Sequence, residues 1–425
     1  MSASMLGLVL KDILQAVTPS QKDWDLRFAL IADLRIVVQS MQNLRGATVE
    51  PFGSFVSNLF TPWSDLDISI ELSNGSHISS AGRKHKQMLL GCLLRALKMK
   101  GGWTSLQLIS NARVPILKFK SNRQSISCDV SIDSLQNQMK SKILLRIHKI
   151  DNRFRSMVLL VKEWAKAHKI NNSKAGTFNS YALSLLVIFH FQTCVPAILP
   201  PFKDIYPGNM VDDLRGIRAD AEKLITETCD ANINRFLSDK SRPINRKSLP
   251  VLFVEFLRKF AQMDSWASQL GICPYTGQWE QIKNNMMWLP KTYAILVEDP
   301  FEQPQNTARC VSTGQLKKIS KAFLETYGIV TSKNQDQSSL LNFLASAQVS
   351  QLIRTPWIPN YSDGQSYPIR PQMQCVMHLP PHPQQRFQNG NQGRNYSNST
   401  SRGPKQIWRQ KIQLRIASQD TQGNI

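Results

Sequence analysis

Two short stretches of the chain alternate strictly between apolar and polar residues. In the range 65–72 every second residue is leucine or isoleucine, and the range 126–132 repeats this alternation. A period of two places successive side chains on opposite faces of a strand. The range 114–120 is expected to form a further strand. The pattern therefore predicts strands that bury one face and carry polar side chains on the other.

The residues around these strands follow helical spacing instead. The first forty residues, a basic segment from Arg83 to Lys100 and the range from Lys140 to about Ala347 all repeat apolar residues every three or four positions. The apolar range from Tyr181 to Leu199 contains His190 and Pro196 and is marginal in length for a membrane span. It is expected to be a buried helix, and no membrane partner is expected.

These patterns predict an α+β protein in which a sheet with helices is followed by a mainly helical domain. The C-terminal range is rich in Pro, Gln, Asn, Ser and Gly. Such a composition buries too little apolar surface to offset the entropy of ordering, so this range is predicted to be disordered. The predicted boundaries are N-terminal helices at 1–43, a sheet-containing domain at 44–135, a helical central domain at 136–347 and a basic tail at 348–425.

Charge narrows the class of partner. The formal net charge of +22 favours a polyanion, because Lys and Arg that neutralise phosphates release condensed counterions. Nucleic acid is the expected partner and an anionic membrane the alternative. The seven cysteines lie far apart without a C-x-x-C pair, which favours reduced thiols and an intracellular location.

Candidate chemistry lies on the polar faces of the alternating strands. Asp65 and Asp67 share one face of the first strand, Asp129 lies on the second, and Gly53-Ser54 precede them. If the strands pair, the three acids meet in one cleft and need cations to offset their repulsion. Gly53 and Ser54 offer backbone N–H groups and a hydroxyl to phosphate. An isolated D-x-D usually decorates a solvent-facing strand, but the combined pattern is far rarer than its parts.

Three converging carboxylates suit Mg²⁺ or Mn²⁺, which prefer oxygen ligands and leave positions for substrate phosphates. The expected reaction is an in-line displacement with two metal ions. Asp65 and Asp67 are expected to bridge both ions. Asp129 is expected to hold one of them or to accept the proton of an attacking hydroxyl.

Two further motifs follow along the chain. Lys162 and Lys166 are one helical turn apart and can hold β and γ phosphates, whereas lysines on such helices are usually only solvated. The Ser180 hydroxyl can contact phosphate and the Tyr181 ring can stack on a base. The alternative for this pair is a helix N-cap followed by a core aromatic residue.

The motif Glu298-Asp299-Pro300-Phe301-Glu302 is the last candidate. Its carboxylates can accept hydrogen bonds from a base edge. A loop turned by a proline with ordinary surface acids is the alternative.

The order of Gly-Ser, D-x-D, third Asp, V-K-x-W-A-K, G-T-x-x-S-Y and E-D-P-F-E resembles the noncanonical poly(A) polymerases and terminal uridylyltransferases of the DNA polymerase β-like superfamily. The resemblance covers residues 20–330. Three longer stretches, at 159–168, 178–201 and 297–304, look like the plant uridylyltransferases that act on unmethylated small RNAs. The resemblance implies a polymerase β-like nucleotidyltransferase domain, and N-terminal helices that pack on the central domain.

The chain departs from the family pattern at two positions, and the resemblance also implies roles for individual residues. Many relatives have an Asn-Thr pair at the ribose where this chain has Lys140-Ser141, and several uridylyltransferases have a base-reading His where it has Gln305. The implied roles are catalysis for Asp65, Asp67 and Asp129, triphosphate binding for Ser54, Lys162, Lys166 and Ser180, base stacking for Tyr181, and base recognition for Asp299 and Glu302.

Taken together, these features predict template-independent addition of uridines from UTP to RNA 3′ ends, which marks the RNA for decay. The expected substrates are chiefly unmethylated small RNAs, and RNA cleavage fragments as a second class. The alternatives are a noncanonical poly(A) polymerase, an inactive RNA-binding relative, and oligoadenylate or small-molecule nucleotidyl transfer on the same fold. The chain is expected to be a monomer that works with a small-RNA effector protein. The expected compartment is the cytoplasm, with the nucleus as a second one.

Overall fold

A five-stranded mixed sheet forms the scaffold of the first part of the chain. The computed structural model describes residues 4–72, 78, 82–289, 292–332 and 336–355. The strand order is β1-β2-β5-β4-β3; β2 and β5 run parallel, and the other neighbours are antiparallel. The sheet is therefore mixed, and the predicted α+β class is confirmed. Its strands are β1 Thr48–Phe52, β2 Leu66–Glu71, β3 Trp103–Ile109, β4 Ile116–Ser121 and β5 Ser127–Ile132.

Helices dominate the rest of the described chain, together with a short antiparallel hairpin of β6 Leu270–Cys273 and β7 Gln278–Gln281. Before the end of the sheet the helices are α1 Met5–Val17, α2 Gln21–Gln39, α3 Gly53–Val56 and α4 Arg83–Lys100. After it they are α5 Leu135–Ile147, α6 Arg153–Ala167, α7 Ser180–Thr193, α8 Phe202–Ile205, α9 Met210–Asp213, α10 Arg218–Ser238, α11 Leu249–Phe260, α12 Met263–Trp266, α13 Thr313–Val330, α14 Gln337–Leu344 and α15 Ala347–Arg354.

The sheet buries its alternating apolar residues against α2 and α4. Ile68 of β2 and Val130 of β5 lie in one hydrophobic core with Leu30 of α2 and Leu93 of α4. Each such side chain contributes about 1.5–3 kcal/mol when fully buried, so a one-residue slip of a strand would be costly. This burial directs the intervening polar residues, including Asp67 and Asp129, to the other face.

A second core holds the helical part together and is built around α6 and α7. The α7 helix is buried along most of its length, as expected for the apolar range that contains it. Leu6 and Ile13 of α1 also belong to this core, although α1 is far away in sequence. Among the described residues, no helix is both long enough and apolar enough to cross a membrane.

The expected packing of the N-terminal helices on the central domain is confirmed for α1, which joins the helical core. It is wrong for α2, whose apolar face (Leu30, Leu34) joins the sheet core. The tail does not begin at residue 348, as the sequence had predicted. Residues 347–354 form α15, whose Val349 is buried and whose Ile353, one turn later, packs on the helical core. The remainder of the predicted tail lies outside the described residues.

Candidate active site

Every residue given a catalytic or nucleotide-binding role from the sequence lines one cleft of about 990 Å³; Glu298 of the last candidate motif does not. At its centre the parallel register of β2 and β5 places Asp67 directly beside Asp129. Neighbouring residues of a sheet point to the same face, so the two carboxylates share it. Asp65 precedes β2 by one residue and is exposed to the cleft. Long-range strand pairing therefore brings the three acids together, as the sequence predicted.

Burial and neighbouring acids raise the pKa values of Asp67 and Asp129. Burial raises the pKa of Asp67 to about 7, with Asp129 and then Asp65 adding to the effect. Burial also raises the pKa of Asp129, which Lys118 opposes by hydrogen bonding. Lys118 lies opposite Asp129 on β4, and its Nζ donates to both carboxylate oxygens at 2.7 and 2.5 Å. A carboxylate with a raised pKa among like charges favours a cation beside it.

The donor set fits a hard divalent cation, because it offers carboxylate oxygens. Positive charge competes for them from Lys118, Lys162 and Lys174. In the described part of the chain, however, no three His, Cys, Asp or Glu side chains are close enough to share an ion. Asp129 is instead bonded to Lys118 through both carboxylate oxygens. The three acids are thus gathered in the cleft but are not preformed into a metal cage.

The turn after β1 presses against the acids. Gly53 has φ +67°, and a Cβ built there would lie 2.1 Å from Asp67 Oδ2. Its N–H donates to Ser141 Oγ at 2.8 Å, which fixes the turn to α5. Ser54 follows in α3 and lines the cleft. Glycine is therefore required at position 53 for both backbone conformation and space.

The two predicted phosphate-binding lysines differ in environment. Lys162 is buried on α6 and its Nζ donates to Leu59 O at 2.8 Å. Burial lowers the pKa of Lys162 to about 8, and the charge of Lys166 adds to the effect. Lys166 lies one turn later at the cleft and is exposed. Of these two lysines, Lys162 is therefore the buried cation that a phosphate can stabilise.

At the start of α7, Asn179 rather than Ser180 is the N-cap, because its side chain accepts from the Ala182 N–H at 2.8 Å. Ser180 is exposed and exchanges hydrogen bonds with Asn171, at 3.2 and 3.3 Å. Its hydroxyl lines the cleft and is not needed to cap the helix. Tyr181 is partly buried and donates its hydroxyl to Asp299 Oδ1 at 3.1 Å.

Asp299 and Glu302 lie in the cleft, but Glu298 does not take part. Glu298 is buried and accepts from Trp288 Nε1 at 3.0 Å and from Cys273 Sγ at 2.9 Å. Asp299 and Glu302 both contact Lys140. The segment is a loop with a turn at Pro300, as the alternative held, but its acids are not ordinary surface acids, because all three are buried.

Sequence reasoning missed several residues that line the cleft or contact residues that do. Lys118 shows no signal without the strand register, and Arg113 lies in a turn of no recognisable motif. Lys140 did show a signal, since it replaces the Asn of the family pair. Arg27 is buried on α2 and donates to the carbonyls of the loop at 61–64, just before Asp65.

Comparison with known proteins decides the family. A model of the central palm domain of mitochondrial-like poly(A) RNA polymerases matches residues 6–148. Protein HESO1 of Arabidopsis thaliana is 50% identical over 420 residues, which cover 99% of this chain and 80% of that protein. The chain belongs to the terminal uridylyltransferase and noncanonical poly(A) polymerase family. This membership confirms the predicted family and the predicted RNA nucleotidyltransferase activity.

More distant family members share the architecture. Human mitochondrial poly(A) RNA polymerase is 26% identical, with 73% of this chain and 53% of that protein covered. The solved structure of the Cid1 poly(U) polymerase matches with a TM-score of 0.63 at 21% identity, covering 81% of this chain and all of that one. At such low identity the structural match speaks for the fold alone, and it confirms the polymerase β-like fold class.

Proposed function

We propose that this enzyme transfers uridylyl groups from UTP to the 3′-OH of RNA without a template, preferring unmethylated small RNAs and marking them for decay. The observation that carries the proposal is the pairing of Asp67 with Asp129 on parallel strands in a cleft that also contains Lys162 and Tyr181. Acids, a phosphate-binding cation and a stacking ring are the parts that nucleotidyl transfer needs. The high identity to a plant family member supports uridine over adenosine.

In the proposed reaction the RNA 3′-oxygen attacks the α-phosphorus of UTP, a new 3′-O–P bond forms, and pyrophosphate leaves. Asp129, beside Asp67 in the cleft, accepts the proton of the 3′-OH or holds the metal ion that activates it. Two Mg²⁺ or Mn²⁺ ions, when held by Asp65, Asp67 and Asp129, supply charge stabilisation for the attacking and leaving oxygens. Lys118 then has to release at least one oxygen of Asp129.

The remaining predicted residues bind the nucleotide. Lys162, Lys166, Ser54 and Ser180 hold the triphosphate, and Gly53 lets the backbone approach it closely. Tyr181 stacks on the base. Because Tyr181 is anchored through its hydroxyl to Asp299, its ring is held in place before the nucleotide arrives.

Poly(A) polymerase activity is the second candidate. The human enzyme named Poly(A) RNA polymerase GLD2 is 30% identical over 232 residues, which keeps this possibility open. An inactive relative is disfavoured, because all three acids are present and lie in the cleft.

The test is a tailing assay with the purified full-length chain, a short RNA with a free 3′-OH, and each nucleoside triphosphate offered singly in Mg²⁺ or Mn²⁺. We expect UTP to be incorporated at least about tenfold faster than ATP. Equal or faster use of ATP would replace the uridylyl assignment with the poly(A) polymerase alternative.

The same assay tests the acids. We test three single substitutions: Asp65→Ala, Asp67→Ala and Asp129→Ala. Each should lower tailing by about 100-fold or more, since several kcal/mol of charge stabilisation are lost. Asp220→Ala, on the exposed face of α10 outside the cleft, should leave tailing unchanged. Near-normal tailing by one of the three variants at an unchanged melting temperature would remove that residue from the catalytic set.

The substrate and its setting are parts of the same proposal. The enzyme acts as a monomer beside a small-RNA effector protein, in the cytoplasm and secondarily in the nucleus. A matched pair of small RNAs, with a 2′-OH or a 2′-O-methyl group on the last ribose, tests the substrate. Equal tailing of both RNAs would argue against a preference for unmethylated ends.

A further inference from the structure

A second charged cluster lines the cleft and centres on Lys140 of α5. Its Nζ lies 2.5 Å from Asp299 Oδ2 and 2.9 Å from Glu302 Oε1, and its side chain is only 10% exposed. The same Nζ lies 5.5 Å from the centroid of the Tyr181 ring. A buried ammonium is therefore held beside the ring on which the base is proposed to stack.

The carboxylates of this cluster already have proton donors. Asp299 Oδ1 accepts from the Tyr181 hydroxyl at 3.1 Å and from the Phe301 N–H at 3.0 Å. Glu302 Oε2 lies 3.3 Å from an Arg113 guanidinium nitrogen. With Lys140 on the other two oxygens, each of the four oxygens has a donor, and the two acids balance the two cations. An N–H of a base would have to compete with these donors.

The ammonium of Lys140 has one more N–H group than the acceptors that the described residues provide for it. It carries three N–H groups, and the acceptors that the described residues provide for it are the two carboxylates. The third N–H is left for a ligand in the cleft. A hydrogen bond from a charged donor is stronger and more selective than a neutral one.

We propose that Lys140 is the residue that selects uridine, by donating this third N–H to the keto oxygen at position 4 of the uracil base. The inference rests on the proposed uridylyl transfer and deepens it. Cytosine carries an amino group at position 4 and adenine carries one at position 6, so each would turn N–H donors towards the ammonium. Guanine has a keto oxygen at position 6, and its exclusion has to come from purine size.

In this arrangement Asp299 and Glu302 are positioning residues. Without them the flexible lysine side chain has no fixed direction. This differs from the role implied by the family resemblance, in which the acids read the base themselves. Ser141, the next residue on α5, accepts from the Gly53 N–H beside Asp67. Helix α5 therefore carries both Lys140 and the residue that holds the turn at Gly53.

The first arm of the test uses the unmodified enzyme. Values of kcat/KM are measured for UTP, 4-thio-UTP and 2-thio-UTP on one RNA. Sulfur is a weaker acceptor than oxygen, so we expect 4-thio-UTP to lose about 10- to 100-fold and 2-thio-UTP to lose little. Sensitivity to the 2-position alone, or to neither position, overturns the proposal. This arm needs no variant and therefore cannot fail through misfolding.

The second arm compares Lys140→Asn with Lys142→Asn. Lys142 is on the same helix and pairs with Glu222 at 2.7 Å outside the cleft, so it is a matched control. We expect Lys140→Asn to lose about 10- to 100-fold of the UTP-over-CTP preference and to become indifferent to 4-thio substitution. Lys142→Asn should keep the UTP-over-CTP preference and the sensitivity to 4-thio substitution. A Lys140→Asn enzyme that retains the full preference overturns the role of Lys140.

The two arms separate this inference from the proposed function. If the unmodified enzyme prefers ATP to UTP, uridylyl transfer itself is wrong. If it prefers UTP but fails either arm, uridylyl transfer stands and another group selects the base. If Lys140→Asn loses activity with every nucleotide, the 4-thio result of the unmodified enzyme decides.

Discussion

The Cβ of an alanine at position 53 would meet the Asp67 carboxylate at 2.1 Å, on a backbone with φ +67°. Both features penalise any side chain there, since positive φ costs about 1–2 kcal/mol for non-glycine residues. We expect Gly53→Ala to lower tailing by at least about tenfold, because the carboxylate has to move.

Gly91→Ala is the matched control for that change. Gly91 lies in the interior of α4 with no atom within 4 Å of a built Cβ. Alanine there should raise stability by about 0.5–1 kcal/mol and leave tailing unchanged. Tailing rates and thermal melting of the two variants are measured side by side. Full activity of Gly53→Ala would mean that catalysis tolerates a displaced Asp67 carboxylate.

Lys162 makes nucleotide binding depend on pH. Burial lowers its pKa to about 8, so in the nucleotide-free enzyme its ammonium loses the proton as pH rises through that value. The charged form binds the triphosphate, and KM for UTP should therefore be flat below pH 7 and rise above pH 8. Lys162→Arg stays charged and should abolish the rise, whereas Lys166→Arg should retain it. A KM that stays constant from pH 7 to 9.5 would contradict this assignment.

The loop before β2 is held by a helix that lies on the sheet core. Arg27 of α2 is buried and donates from one guanidinium nitrogen to the carbonyls of Thr61, Pro62 and Ser64, at 3.4, 3.0 and 2.9 Å. Its guanidinium also lies 4.6 Å from the centroid of the Phe60 ring. A second guanidinium nitrogen donates to Asp23 O at 2.9 Å, so the planar group bonds carbonyls of both α2 and the loop, which a lysine cannot reproduce. Since the loop leads directly into Asp65, Arg27 positions that acid from outside the cleft.

Arg27→Lys should therefore weaken metal binding without removing an acid. We expect the Mg²⁺ concentration for half-maximal tailing to rise severalfold, and stability to fall by about 1–3 kcal/mol from lost hydrogen bonds. Arg35 is on the same helix and donates to Val49 O at 3.2 Å. Arg35→Lys should leave the Mg²⁺ dependence unchanged and change the stability by no more than about 0.5 kcal/mol. An unchanged Mg²⁺ dependence in Arg27→Lys would limit Arg27 to a stabilising role.

Across the whole molecule, positive charge continues beyond the described part of the chain. After Thr355 the sequence has eight Lys and Arg against two Asp, among Gln, Asn and Gly. Such a segment should attract RNA through phosphates without taking part in catalysis. Truncation after Thr355 should weaken RNA binding at low salt, flatten its salt dependence and leave kcat unchanged. Identical binding of both forms across a salt series would point to another role for the tail.

Local periodicity was sufficient to find β2, β4 and β5, the buried α7 and the acids, because alternation and helical spacing are set by neighbours in the chain. It was insufficient for β1 and β3. Pro51 interrupts the first of these, and β3 is irregular, with a register shift between Thr104 and Gln107. The short helix α15 was also missed, because its few apolar residues are buried only by contact with the helical core.

The partners of the site residues depend on long-range packing. Lys118 lies opposite Asp129 only through the register of β4 on β5, and Lys140 meets Asp299 across 159 positions of sequence. Glu298 stands beside Asp299 in sequence yet belongs to a core with Trp288. Residue types and spacing show which chemistry is available to the chain. Which charges face the cleft, and which already neutralise each other, follows from contacts between distant segments that no local pattern records.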